Sequence, residues 1–396
     1  MTNAERPSLT PRSCNLAFFG AVFDGDWQGK KQQGRGRMTY ASGNVYDGDW
    51  KDGEQEGRGK MTFANGDLYN GEWKGGKQEG RGMYTLANGH VYEGEWRENK
   101  RHGRGKMTLS RGASFDGEWK DGEQEGRGKY TFPDGDVFEG NWKGGKQEGR
   151  GKYTYANGAV HEGEWKSGSM EGRGKTTYAN GDVYSGEWKG GARNGRGKMT
   201  YANGDVYDGV WRDGEQDGRG KMTYASGNVY NGEWKGGARN GRGKMTYANG
   251  DVYDGEWKNG EQEGRGKMTF ASGNVFNGEW KGGKQEGRGK MTYSSGAAVY
   301  DGNVYVGNVY EGEWACGMQH GRGKMTYANG NVFDGEWTGG KREGIDSPMG
   351  ERTRRAVLEP EKQRAGRSLV ISHSAPALGI KLPLNYHCIL PRNPYH

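Results

Sequence analysis

Residues 168–176 read G-S-M-E-G-R-G-K-T and end like a phosphate-binding P-loop. A P-loop has the spacing G-x4-G-K-[ST] between a strand and a helix, because its backbone N–H groups must surround the phosphates. Here Ser169 stands where the first glycine is needed, and the letters G-R-G-K recur many times along the chain. The segment therefore predicts neither a nucleotide site nor a cofactor.

Cys316 and His320 lie four residues apart and are the nearest approach to a pair of metal ligands. A structural zinc site needs four ligands, and no further Cys or His cluster accompanies this pair. The other cysteines, Cys14 and Cys388, are too distant to form a disulfide framework. Asp and Glu recur at the same places along the chain, whereas catalysis needs one unique site. We expect no metal, no catalytic residue and no enzymatic activity.

The composition indicates a repetitive protein. The 396 residues include 79 glycines, and the mean hydropathy is -1.13, yet 14 tryptophans and 23 tyrosines are present. Such an aromatic content is not typical of disordered glycine-rich chains. Residues 23–344 contain 48 Lys or Arg and 46 Asp or Glu. This near balance argues against a nucleic-acid partner, and no small-molecule substrate is indicated.

No apolar stretch approaches the roughly 20 residues that span a bilayer. The apolar run at residues 16–23 lacks a signal-peptide cleavage site and leads directly into the repeats described next. We therefore expect a cytoplasmic protein.

Tryptophan marks a 23-residue repeat. Trp27 to Trp280 are spaced by 23 residues, and Trp314 and Trp337 complete fourteen units. Glycine stands two residues before and seven residues after every tryptophan. An 11-residue insertion, around 297–307 within the segment 297–309, precedes the thirteenth unit. Val304 stands there where a tryptophan would fall, so we expect the insertion to interrupt the stack of repeats.

Each repeat is predicted to form two antiparallel strands. Residues 46–50, Y-D-G-D-W, and 57–63, G-R-G-K-M-T-F, alternate with period two and are separated by turn-forming D-G-E-Q-E and A-N-G-D segments. The predicted fold is all-β, an elongated, single-layer, twisted antiparallel β-meander. Alternation places rings and glycines on one face, which we expect to carry Tyr46, Gly48, Trp50, Gly57, Gly59, Met61 and Phe63. The opposite face would carry cross-strand pairs of carboxylates with Arg and Lys.

The ring-bearing face is the candidate functional surface. Its rings are expected to pack over the glycines, and the part left uncovered by a single layer would contact a second copy or an amphipathic helix of a partner. The rings can form the packing layer of the array and also contact a partner. The residues concerned are Tyr46, Trp50, Tyr69, Trp73, Tyr92, Trp96, Tyr184, Trp188, Tyr207, Trp211, Tyr230, Trp234, Tyr253 and Trp257.

The pattern Y-x-G-x-W-x-x-G-x-x-x-G-x-G, repeated over residues 23–344, resembles the MORN repeat (membrane occupation and recognition nexus). The resemblance implies an elongated β-sheet, in some members dimeric, and a non-enzymatic scaffold for protein partners at the cytoskeleton, cilium or membrane. It also implies an alternative: a peripheral module that binds anionic phospholipids such as phosphoinositides, accessory to an enzyme on a separate chain. His161 departs from the pattern, and Ile345-Asp346 replaces R-G, so the last unit should lack its second strand.

The chain is predicted to have three parts. Residues 1–22 form a flexible lead-in, residues 23–344 the fourteen repeats, and residues 345–396 a basic, largely irregular tail too short for a kinase or SET domain. The tail is the expected contact with anionic membranes through Arg352, Arg354, Arg355, Lys362, Arg364 and Arg367.

Overall fold

The computed structural model describes residues 16–18, 20–294, 298–300, 303–305 and 307–343. Every regular element in these ranges is a β-strand, and they contain no helix that could cross a membrane. The predicted basic tail, with its six named cations, lies outside the described residues, as does most of the predicted lead-in. Two strands nevertheless begin before residue 23, at Leu16 and Ala21.

The structure contains 31 strands in the described ranges. They are β1 (Leu16–Phe18), β2 (Ala21–Gln28), β3 (Lys31–Thr39), β4 (Val45–Lys51), β5 (Glu54–Thr62), β6 (Leu68–Lys74), β7 (Lys77–Thr85), β8 (Val91–Arg97), β9 (Lys100–Thr108), β10 (Ser114–Lys120), β11 (Glu123–Thr131), β12 (Val137–Lys143), β13 (Lys146–Thr154), β14 (Val160–Lys166), β15 (Ser169–Thr177), β16 (Val183–Lys189), β17 (Ala192–Thr200), β18 (Val206–Arg212), β19 (Glu215–Thr223), β20 (Val229–Lys235), β21 (Ala238–Thr246), β22 (Val252–Lys258), β23 (Glu261–Thr269), β24 (Val275–Lys281), β25 (Lys284–Thr292), β26 (Ala298–Tyr300), β27 (Asn303–Tyr305), β28 (Val309–Ala315), β29 (Met318–Thr326), β30 (Val332–Thr338) and β31 (Lys341–Arg342).

Consecutive strands pair antiparallel, and 29 of the strands form one open sheet. The predicted all-β antiparallel meander is confirmed. Each repeat contributes a seven-residue strand that ends near its tryptophan, such as β4, and a nine-residue strand with the G-R-G-K motif, such as β5. We call these the tryptophan strand and the glycine strand.

A β-bulge interrupts the pairing inside each complete repeat. In β4 and β5, Gly48 pairs with Gly59 and Trp50 pairs with Gln55, so the residues between them are out of register. Gly57 lies in this bulge with φ 68°, and a Cβ there would meet Asp49 on the polar face. The expected placement of Gly57 on the ring-bearing face is therefore wrong, because the bulge shifts the alternation.

The insertion does not interrupt the sheet, contrary to the expectation from the sequence. β25 pairs directly with β28 in the usual register, with Met291 opposite Tyr310. The extra residues instead enlarge the turn between these strands, where β26 and β27 form a separate two-stranded hairpin. The backbone N–H of Tyr293 donates to the carbonyl of Asn308 at 2.9 Å and closes the base of this turn.

Candidate protein-binding groove

The predicted ring residues form a continuous packing layer. Tyr46 lies edge-on between Trp50 of its own repeat and Trp73 of the next, with centroids 5.1 and 5.3 Å apart. The same T-shaped contacts continue across the insertion, where Phe276 and Trp314 lie 5.1 Å apart. The seven predicted tyrosines are 0% exposed and their seven tryptophan partners 3–8%. A molecule approaching this face therefore meets little of these rings.

Glycine makes this layer possible. A Cβ at Gly59 would overlap the Tyr46 ring, and one at Gly48 would collide with the backbone of Gly59. The phenol ring therefore lies directly on the backbone of two paired glycines. Its hydroxyl donates to the carbonyl of Asp49 at 3.1 Å, so the ring is fixed at both ends.

A second aromatic row, of which the sequence reasoning placed only Phe63 on this face, remains accessible. It occupies the position 13 residues after eleven of the tryptophans, at the start of the turn that follows the glycine strand, whereas Leu86 and Leu109 stand there in two repeats. These side chains are half-buried and pack against the rim of the ring layer. The 23-residue spacing of Tyr or Phe at this position was visible in the sequence. The row includes Tyr40, Phe63, Phe132, Tyr155, Tyr178, Tyr201, Tyr224, Tyr247, Phe270, Tyr293 and Tyr327.

Polar side chains five residues after the tryptophans lie beside this row. Gln216 donates from Nε2 to the hydroxyl of Tyr201 at 3.0 Å. In the eighth repeat the position is Arg193, whose guanidinium lies 4.4 Å from the centroid of a Trp211 ring and donates to the carbonyl of Gly214 at 2.6 Å. We call the second aromatic row and the polar side chains beside it the accessible strip. It combines the edges of aromatic rings with amide and guanidinium groups.

The strip deepens into a groove in repeats six to nine. One concavity of about 560 Å³ is lined by Tyr178, Arg193 and Tyr201, among others. A second, of about 400 Å³, is lined by Tyr155, Met170, Thr176, Tyr178 and Arg193, among others. The two share Tyr178 and Arg193 and are therefore adjacent. We call these two concavities together the central groove.

Several residues in and near the central groove depart from the repeat pattern. Ala192, which lines the groove, and Ser169 stand four residues after their tryptophans, where most other repeats have Lys or Glu. Met170 and Thr176 replace the usual Gln and Met or Tyr in the same region. The central groove therefore differs chemically from the rest of the strip.

His161 lies directly behind the central groove. It takes the place of the tyrosine in repeat seven and is 0% exposed, and its Nδ1 lies 2.8 Å from the Thr176 hydroxyl. Its Nε2 and the Nε1 of Trp165 are buried without a hydrogen-bond partner. Burial lowers the pKa of His161 to about 4, since desolvation disfavours the charged imidazolium. The buried rings correspondingly fall into two clusters, one ending at Trp165 and the other beginning at Tyr184.

Carboxylates on the polar face and in the turns largely accept hydrogen bonds from backbone amides. Asp49 Oδ2 accepts from the N–H of Arg58 at the bulge, at 3.1 Å. Asp67 Oδ1 accepts from the N–H of Ala87 in the next repeat, at 2.8 Å, and this bond lowers the pKa of Asp67. Cross-strand ion pairs occur as expected at some repeats, for example between Lys129 and Glu139 at 3.0 Å. The recurring acidic residues thus have a structural role within and between repeats.

The P-loop-like segment 168–176 and the pair Cys316 and His320, considered above for phosphate and metal binding, do not form such sites. Residues 169–177 form β15, with no helix after it to complete a phosphate cradle. Cys316 is exposed in a turn, and His320 is exposed on β29 with Glu313 as its register partner. Within the described ranges no three His, Cys, Asp or Glu side chains are placed to hold a metal ion.

The MORN repeat model matches fourteen consecutive segments, which together cover residues 23–298 and 310–345. The chain belongs to the MORN-repeat family. As a MORN-repeat protein it is a repeat scaffold in architecture, and the matched segments have the 23-residue period of the sequence. A comparison with curated proteins returns no match.

Solved structures with similar strand arrangements include the TCP10 domain of Danio rerio CPAP in complex with a peptide of STIL. This similarity has 14% identity and a TM-score of 0.32, and covers 64% of this chain and 98% of that chain. The TCP domain of Drosophila melanogaster SAS-4 with a proline-rich motif of Ana2 gives 14% identity and a TM-score of 0.27, covering 48% and 98%.

Proposed function

We propose that this MORN-repeat protein is a non-enzymatic scaffold that binds segments of partner proteins along its accessible aromatic row, with the central groove as the main anchor. The observation that supports this is the row itself: rings such as Tyr178 and Tyr201 recur at the same place in successive repeats and are only half-buried. Half-exposed tyrosines beside a concavity supply large contact area at low entropic cost.

The spacing of the row fits a helical partner. Two strands advance the sheet by about 9.6 Å per repeat. A heptad of an α-helix advances about 10.5 Å, at about 1.5 Å per residue. An amphipathic helix with one apolar side chain per heptad can therefore contact the rings of successive repeats. We expect the scaffold to act in the cytoplasm, at the cytoskeleton or at membrane-associated structures.

Paired variants test this proposal. The double variant Tyr178→Ser and Tyr201→Ser removes two rings that line the central groove. The control Lys175→Ala and Lys198→Ala changes exposed residues on the opposite face of the same repeats. We expect partners recovered by affinity purification to be lost with the first variant and retained with the second. Equal recovery with both would contradict the proposal.

A liposome experiment distinguishes the scaffold function from phospholipid binding. Because residues 23–344 carry nearly balanced charge, their attraction to an anionic surface should be weak at physiological salt. We expect any co-sedimentation of the full chain with anionic liposomes to fall when residues 345–396 are deleted. Salt-resistant binding that survives the deletion would favour the lipid-binding function over the scaffold.

A further inference from the structure

The last tryptophan strand, β30, has an incomplete neighbour. Every earlier tryptophan strand of the repeats pairs with the nine-residue glycine strand that follows it in the chain. β30 pairs instead with the two-residue strand β31, Lys341 and Arg342. Phe333 is half-buried, although the equivalent rings of the thirteen earlier repeats are 0 or 1% exposed. Val332 is 54% exposed. The edge thus lacks the cover that its side chains have elsewhere.

Backbone groups are also available at this edge. The N–H of Glu343 donates to the carbonyl of Glu336 at 2.8 Å, so the backbone of Glu336 faces the edge. In an antiparallel strand, alternate residues direct their N–H and C=O to the same side. Asp334 and Val332 therefore direct their backbone groups to the same edge, where no described residue pairs with them.

The internal repeats show what chemistry this edge accepts. In β5, Gly59 lies opposite Gly48 of the tryptophan strand, and a Cβ there would overlap the ring of Tyr46. Lys60 lies opposite Asp47, and Met61 lies opposite Tyr46. An occupant of the β30 edge must therefore supply a glycine opposite Gly335, a cation opposite Asp334 and an apolar residue opposite Phe333.

A second copy of the protein does not offer this pattern at its free edge. At the other end of the described sheet, β1 pairs with residues 21–23 of β2. The part of the β2 edge beyond that pairing carries Asp24 and Asp26, and β30 carries Asp334 and Glu336. Pairing these two edges end to end would place carboxylates opposite carboxylates, which is destabilising. Pairing the β30 edges of two copies would likewise place carboxylates opposite carboxylates.

We propose that the β30 edge binds an extended segment of a partner protein with the order glycine, cation, apolar residue, which joins the sheet as an additional strand. Backbone hydrogen bonds would provide affinity, as in other cases of strand addition. The glycine requirement and the cation opposite Asp334 would provide selectivity. This site is separate from the central groove, and the inference does not depend on the proposed function.

A peptide copied from an internal glycine strand tests the inference with the full chain. The peptide E-G-R-G-K-M-T-F reproduces residues 263–270, and the control E-A-R-A-K-M-T-F replaces both glycines. Fluorescence anisotropy should show binding of the first peptide, at least about tenfold tighter than the control. Hydrogen exchange at the amides of Val332 and Asp334 should slow when the first peptide binds.

Charge reversal locates the site. Asp334→Lys with Glu336→Lys should weaken binding at least about tenfold, whereas Asp208→Lys, at the same position of an internal repeat, should leave it unchanged. The inference is overturned if the peptide does not bind, or if the alanine control binds equally well. It is also overturned if Val332 and Asp334 exchange slowly without peptide, since the chain itself would then cover the edge.

Discussion

Trp234 donates its indole Nε1–H to the carbonyl oxygen of Gly220, 3.1 Å away in the preceding repeat. Equivalent bonds join most tryptophans of the array to the repeat before, for example Trp73 to Gly59 at 3.1 Å. The indole also packs between two rings. Each repeat therefore supplies both a hydrogen-bond donor to a backbone carbonyl and a ring contact to the repeat before it. Stability is therefore shared between neighbouring repeats, as expected for a repeat protein.

Trp165 provides a natural comparison for this bond, because its Nε1 has no partner although the ring is as buried as that of Trp234. Trp234→Phe removes this bond and should cost about 0.5–1.5 kcal/mol more than Trp165→Phe. Hydrogen exchange of the flanking strands in each variant measures the local opening free energy. Equal costs would show that the indole bond does not contribute.

His161 should make stability depend on pH. Its pKa is lowered to about 4 in the folded chain from 6.5, so the unfolded state binds more protons between these values. The free energy of unfolding should therefore fall as the pH drops from about 6.5 to 4, by at most about 1.4 kcal/mol per pH unit. Denaturant unfolding of the wild type and of His161→Phe should show this component only in the wild type. Identical pH profiles would contradict the account of His161.

Val210 marks a bulge without its carboxylate. It stands where Asp49 accepts from the N–H of Arg58 in the second repeat, and its side chain, which lies near Gly218, has no acceptor atom. Val210→Asp should supply the missing acceptor for the N–H of Arg219 and stabilise the array by about 0.5–1.5 kcal/mol. Thermal unfolding measures the change, with Val210→Ala as control. No difference between the two variants would show that a carboxylate accepting the N–H at the bulge does not stabilise the array.

The insertion should be dispensable for the sheet. Deleting residues 297–307 joins S-S-G to N-V-Y and restores the turn sequence of the other repeats. Since β25 and β28 already pair in the usual register, we expect the melting temperature to be little changed. We also expect limited proteolysis to cut the wild type near residues 297–309 before the regular repeats, and the deletion to remove this cleavage. A large loss of stability would mean that the β26–β27 hairpin supports the array.

The strand pattern could be predicted from the sequence because alternation and turn residues act locally. The 23-residue period correctly indicated antiparallel pairing and the stacking of rings such as Tyr46 over glycine. The bulge at Gly57 could not be predicted, because alternation assumes a regular pleat and a residue with φ 68° breaks it. The roles of Asp49 and Asp67 as backbone acceptors were missed for a similar reason, since they depend on contacts across the bulge and between repeats.

Apart from Phe63, the accessible aromatic row was missed, because the period alone does not show which of two rings is buried. Tyr46 and Tyr201 have the same chemistry and the same spacing, yet one is 0% exposed and the other is half-buried at the rim of the central groove. Only the structure separates the rings that hold the array together from those that a partner can reach.

Site-specific photo-crosslinking tests the scaffold function most directly. A benzophenone amino acid at position 201 keeps an aromatic ring at the central groove, and the same residue at position 198 points to the opposite face. We expect irradiation in cells to crosslink partner segments from position 201 and not from position 198. Crosslinks formed equally from both positions, or only from position 198, would contradict binding through the central groove.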